Sequence, residues 1–166
     1  MLSTRATKIL VLALLAASVA IAALAVSMRM RRPSPTPLTG WPKPLSEANA
    51  RSLLSQQCKA AAREKRLLLI EFSAPWCEHC KAVKQAVSDE RVQQQLGAVR
   101  PLVLNIGDDD ALNELRLELG ARAIPAWVVV APQACDESAA HWSRVAQIYP
   151  RGEPEKLAAF LAKLGN

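Results

Sequence analysis

The chain has 166 residues, room for one domain but not for two cores. Its net charge of +6 comes almost entirely from Arg5, Lys8, Arg29, Arg31 and Arg32; from Trp41 onward, 16 Lys and Arg face 15 Asp and Glu. That leaves no broad basic surface to track a phosphate backbone, and with 4% aromatic residues there are few stacking platforms, which argues against a nucleic-acid partner.

The 51% hydrophobic content is concentrated at the start, where residues 9–26 are an unbroken run of Ile, Val, Leu, Ala and one Ser behind the charges of Arg5 and Lys8. This is the layout of an export signal over residues 1–28. Eighteen apolar residues nearly span a hydrocarbon core of ~30 Å, which favours a retained anchor, whereas Ala23-Leu24-Ala25 fits a cleavage site and favours a removed signal peptide. Arg29, Arg31 and Arg32 oppose export of the downstream chain under the positive-inside tendency. Residues 29–45 hold Pro33, Pro35, Pro37, Pro42 and Pro44 and are expected to be an extended spacer.

The remainder, residues 46–166, alternates helix and strand. Ser46 can cap a helix whose apolar positions Leu53, Leu54, Cys58, Ala61 and Ala62 recur at helical spacing, ending near Lys65. Leu67 to Phe72 is a short, nearly all-apolar run, hence a buried strand. A helix is expected from the Cys77/Cys80 pair past Val83 and Val87, with a break near Ser88-Asp89 and a further turn to Leu96. Val99 to Ile106 reads as a strand with Pro101 at its beginning. Asp108 to Asp110 mark the start of a helix carrying Leu112, Leu115 and Leu119, which Gly120 terminates. Ala126 to Ala131 is a strongly β-forming run, Arg144 to Tyr149 its expected antiparallel neighbour, and Pro154 opens a last helix with Leu157, Phe160, Leu161 and Leu164 on one face. The order implies an α/β fold with a mixed central sheet covered on both faces. The Cys pair then lies at the carboxyl end of a central strand, where such sheets place their sites.

The chemistry is concentrated between Glu71 and Cys80. Cys77 falls at a helix N-terminus, where free amides and the macrodipole stabilise a thiolate, and a protonated His79 would add to that. An exposed Cys77 suits attack on a disulfide, and a more buried Cys80 one turn further suits resolution of the mixed disulfide. Glu71, in the strand leading to the site, can exchange a proton with Cys80. Two other meanings of a Cys-x-x-Cys pair are weaker. A zinc site needs two more ligands, for which Cys135 and His141 are the nearest pair, and haem attachment needs a His where Lys81 stands.

The segment Phe72-Ser-Ala-Pro-Trp-Cys-Glu-His-Cys-Lys81 resembles the active-site segment of protein disulfide isomerase domains, within the thioredoxin superfamily. Ile124-Pro125 occupies the place of that family's cis-proline, which faces the cysteines, and Glu71 matches an acid found six residues before the first cysteine. Residues 88–92 look like the corresponding stretch in the periplasmic carboxyl-terminal domain of the bacterial transmembrane thiol-disulfide reductase. The resemblance covers about residues 46–166. It departs at Ala126, where threonine is common, and at Pro132 to Trp142, a loop longer than the family's hairpin.

The resemblance implies a thioredoxin fold and an exported thiol:disulfide oxidoreductase acting on protein thiols and disulfides, leaning towards reductase or isomerase, with no cofactor and no metal. In that reading Cys77 attacks, Cys80 resolves, Glu71 relays a proton and His79 tunes the thiolate. Trp76, Ile124 and Pro125 form the substrate groove, and a membrane redox partner recycles the pair. The alternative is a non-enzymatic module that holds a metal or partner through the same cysteines. Localisation is expected outside the cytoplasm, membrane-anchored, or secreted to the periplasm after cleavage. Cys58 and Cys135 are either free thiols, with Cys58 on an apolar helix stripe, or a structural disulfide in an oxidising compartment.

Overall fold

The structure is a computed structural model and describes Leu38, residues 41–133, Cys135 and residues 138–165. The expected signal or anchor, residues 1–28, lies outside them. Among the described residues, no helix is long and apolar enough to cross a membrane.

Helix α1 spans Glu47–Glu64 and buries Ala50, Leu54, Cys58 and Ala61, a stripe at the spacing of one helical face. Ser46 stands at its N-cap position, yet its side chain makes no capping hydrogen bond there. Strand β1, Leu67–Ser73, follows. The helix that starts after Cys77 is α2, Glu78–Ala86, and the break expected near Ser88-Asp89 is real: Asp89 caps a separate α3, Glu90–Gln95. Hydrogen bonds from the Arg91 guanidinium and backbone amide hold the Asp89 carboxyl down at about 2.

Strand β2 is Val99–Asn105, α4 is Asn113–Glu118, β3 is Ala126–Val130, β4 is Arg144–Ile148 and α5 is Pro154–Ala162. The sheet order is β2-β1-β3-β4, with β1 parallel to β2 and antiparallel to β3, and β4 antiparallel to β3. It is the thioredoxin arrangement of a mixed four-stranded sheet.

Two details differ from the sequence expectation. Helix α4 does not begin at Asp108 to Asp110; those residues form a turn in which Asp110 adopts a positive φ of 50°, and its carboxylate pairs with Arg116 at 2.6 Å. Acidic residues that looked like the first turn of a helix therefore serve the loop before it. Pro101 is not at the start of β2 but third in it, opposite Leu69. Strand β2 is an edge of the sheet, where a missing N–H can face away from the ladder.

Period-2 alternation divides the β1 side chains between two cores. Leu68, Ile70 and Phe72 face α1 and α4 together with Leu104, Leu115 and Val128. Leu69 faces α2, α3 and α5 together with Val83, Val92, Trp127, Val129, Leu157 and Leu161. Leu38 belongs to this second core at 1% exposure, although it falls in the stretch expected to be spacer. The Pro42 carbonyl accepts a hydrogen bond from Asn105 Nδ2 at 2.8 Å, so packing begins upstream of Ser46. Leu38→Ala should lower the unfolding free energy by about 2 kcal/mol, the low end for a buried leucine because a chain segment ahead of the first helix can settle into the gap. Chemical denaturation of the two proteins checks this.

Between β3 and β4 the described Cys135, Ala139 and Trp142 are packed against the domain. Ala139 and Trp142 are buried against the α1 face, and Ser55 Oγ donates to the Cys135 carbonyl at 2.9 Å.

Candidate functional site

The turn after β1 makes the site. Cys77 is the N-cap of α2, in extended backbone conformation, and its Sγ accepts a hydrogen bond from the Cys80 amide at 3.2 Å. An amide at a helix start has no partner inside the helix, so a sulfur placed there receives both the hydrogen bond and the positive end of the helix dipole. Cys77 is half-buried and Cys80 fully buried. Their sulfurs are bonded, with Cα atoms 5.2 Å apart, so neither thiol titrates in this state. Cys77 is thus the more accessible of the two sulfurs.

Trp76 is 51% exposed beside the pair, and its indole N–H donates to the Gly107 carbonyl at 2.9 Å. The Ile124–Pro125 peptide bond is cis. Because Ala126 pairs with Phe72 in the β1–β3 ladder, that peptide is delivered to the end of β1 where the redox turn begins. Cys77 and Ile124 are partly buried against the same apolar cluster. His79 is exposed on the first turn of α2.

Glu71 is fully buried in the middle of the sheet, opposite Val103 on β2 and Trp127 on β3. It points to the α2 side, where Lys84 Nζ lies 3.1 Å from its Oε1 and is itself 9% exposed. Lys84 follows Cys80 by four residues and so shares its face of the helix. Lys84 Nζ also sits 5.2 Å from the centroid of the Trp41 ring. Removing two charges from water costs several kcal/mol per ion unless they meet each other, which is why this pair is found together.

Sequence reasoning missed Lys84 altogether and gave Trp41 no part in the site. The signal was present for the first: a lysine beside Val83 on the apolar face of a helix is out of pattern and implies a buried counter-charge. Nothing local marks Trp41, whose neighbour is set by a long-range contact.

Cys58 and Cys135 are bonded to each other, with Cα atoms 5.6 Å apart. Cys135 is thereby committed to Cys58 and does not join the Cys77/Cys80 pair as a zinc ligand with His141. Among the described residues, no group of three or more His, Cys, Asp and Glu is placed to hold a metal ion.

A family model described as thioredoxin-like matches residues 49–132. Among solved structures, a disulphide isomerase from Xylella fastidiosa is similar over 76% of this chain and 100% of its own, at 20% identity and a TM-score of 0.59. The germline-specific thioredoxin Deadhead of Drosophila melanogaster is similar over 74% and 99%, at 20% identity and a TM-score of 0.50. A thioredoxin from Thermus thermophilus is similar over 66% and 81%, at 18% identity and a TM-score of 0.50. At these identities the likeness is one of fold.

Proposed function

The chain belongs to the thioredoxin-like family, and from that premise we propose that it is a thiol:disulfide oxidoreductase that exchanges disulfides with cysteines of other proteins. The observation that carries this reading is the Cys77–Cys80 pair itself: a half-buried sulfur at a helix N-cap bonded to a buried one a turn further in. The Cys77 thiolate attacks a client disulfide and releases one client thiolate. Cys80 loses its proton to Glu71 and attacks Cys77 Sγ, which releases the second. Two electrons pass to the client and the pair is left oxidised; run backwards, the same steps oxidise or reshuffle the client. Trp76, Ile124 and Pro125 line the groove in which the client chain lies.

The reading leans towards reductase or isomerase, because the groove keeps Ile124 ahead of the proline and residues 88–92 resemble those of a reductase domain. It also places the domain outside the cytoplasm, held by the apolar N-terminal run or secreted after its cleavage, and recycled by a membrane redox partner. The Cys58–Cys135 disulfide supports this location, since such bonds persist in oxidising compartments. Acceleration of insulin reduction by dithiothreitol tests the activity. A protein that merely binds a metal or partner through the pair would leave that rate unchanged.

His79 would tune the couple. An imidazolium near the Cys77 thiolate favours the dithiol form, because oxidation removes the charge it interacts with. His79 is exposed, so the interaction is screened to about 0.5–1 kcal/mol. At roughly 30 mV per 1.4 kcal/mol, His79→Leu should make the couple about 10–20 mV more reducing in a glutathione titration.

A further inference from the structure

We propose that Trp41 and Lys84 are positioning residues for Glu71, so that the segment ahead of α1 completes the redox site instead of only leading up to the domain. The inference rests on the reading of Glu71 as proton acceptor for Cys80.

Two routes join residues 41–45 to the cysteines. The first runs beneath the site: the Trp41 ring lies over Lys84 Nζ, and Lys84 contacts Glu71 at 3.1 Å one turn below Cys80. The second runs beside it. The Pro42 carbonyl accepts from Asn105 Nδ2, Asn105 Oδ1 accepts from the Gly107 amide at 3.0 Å, and the Gly107 carbonyl accepts from the indole of Trp76, next to Cys77. Leu38 anchors the segment in the α2–α5 core.

The first route has a chemical consequence. Glu71 can take the Cys80 proton only as a carboxylate, and a carboxylate buried in a sheet needs a counter-charge. The fully or nearly buried charged residues among those described are Glu71, Lys84 and Arg116. Arg116 is engaged by Asp110, Asn113 and the Ala121 carbonyl beside α4, against the opposite face. Trp127 pairs with Glu71 across the β1–β3 ladder and Ser73 follows Glu71 by two residues on the same face, neither charged, and α5 contributes the apolar Leu157 and Leu161 to that side. Lys84 therefore supplies the charge. The aromatic face of Trp41 holds the flexible lysine stem in place while shielding the pair from water.

The test uses single-turnover oxidation of the reduced full-length protein by glutathione disulfide. Cys77 forms the mixed disulfide with release of one glutathione thiolate. Cys80 then gives its proton to Glu71, closes the Cys77–Cys80 bond and releases the second. The rate of the second release is recorded from pH 5 to pH 9. In Lys84→Met the Glu71 carboxylate loses its counter-charge, so the rising limb of the rate should move to higher pH, a slowing of roughly tenfold on that limb. Lys84→Arg, which keeps the charge, should retain the wild-type limb. Trp41→Leu, which keeps an apolar cover but loses the ring, should shift the limb the same way by a smaller amount, roughly threefold in rate.

Glu71→Gln separates the two readings. If it removes the limb and Lys84→Met leaves the limb in place, the inference fails while the role of Glu71 stands. If Glu71→Gln itself leaves the limb untouched, the relay role fails and the inference with it. Should Lys84→Met not fold, an unmoved limb in Trp41→Leu overturns the proposal, and a shifted one with Lys84→Arg unshifted upholds it.

Discussion

Serine in place of Cys77 is expected to abolish disulfide exchange, with insulin reduction falling to the background rate of dithiothreitol alone. Serine in place of Cys80 should also stop turnover but leave the protein reactive, accumulating mixed disulfides with its clients that survive alkylation and non-reducing electrophoresis. The difference arises from where the fold puts the two sulfurs. Cys77 is half-buried at the helix start and receives the Cys80 amide, so its thiolate is both accessible and stabilised without help from its partner. Cys80 is fully buried and reaches only what is already attached to Cys77. A Cys80→Ser variant keeps the first step and loses the second. Equal trapping by both single variants would show the roles to be misassigned.

Removal of the Cys58–Cys135 bond should have the largest effect on stability. The two residues are 77 apart in sequence, so the bond closes a long loop and withdraws much of the freedom of the unfolded chain. It also ties the Pro132 to Trp142 loop to α1, alongside the Ser55 Oγ contact with the Cys135 carbonyl. Replacing both cysteines with alanine should lower the unfolding free energy by about 2–4 kcal/mol, read from chemical denaturation in the absence of reductant. Insulin reduction at 25 °C should persist, because neither cysteine belongs to the Cys77/Cys80 turn. Loss of activity in a folded double variant would show that this bond communicates with the redox pair.

Most of the architecture could be read from local pattern. The stripe of α1, the apolar run of β1 and the break at Ser88-Asp89 are signals carried by neighbouring residues, and the backbone obeys them because helix and strand periods are set within a few residues. The start of α4 was misread for a related reason. Asp108 to Asp110 have the composition of a first helical turn, but Asp110 is drawn into a left-handed loop conformation where its carboxylate meets Arg116, six residues on. Pro101 was placed too early because sequence does not say which strand is an edge, and only at an edge is a proline tolerated within the ladder.

The sequence by itself placed the reactive groups: a cysteine at a helix start, a second one a turn later, an acid in the preceding strand and a proline at the entry to β3. These need only short spacings and one recognisable segment, and each of those residues carries its own reactivity. The tertiary structure alone decided the partners. It chose Cys135 for Cys58 across 77 residues, Lys84 for Glu71, and Trp41 for Lys84. It also drew Leu38 into the core from a stretch whose prolines read as a spacer. The physical reason is common to all four. A contact between distant residues exists only once β1 lies between β2 and β3 with helices on both faces, and the burial that makes a counter-charge or a bond necessary is a property of that packing.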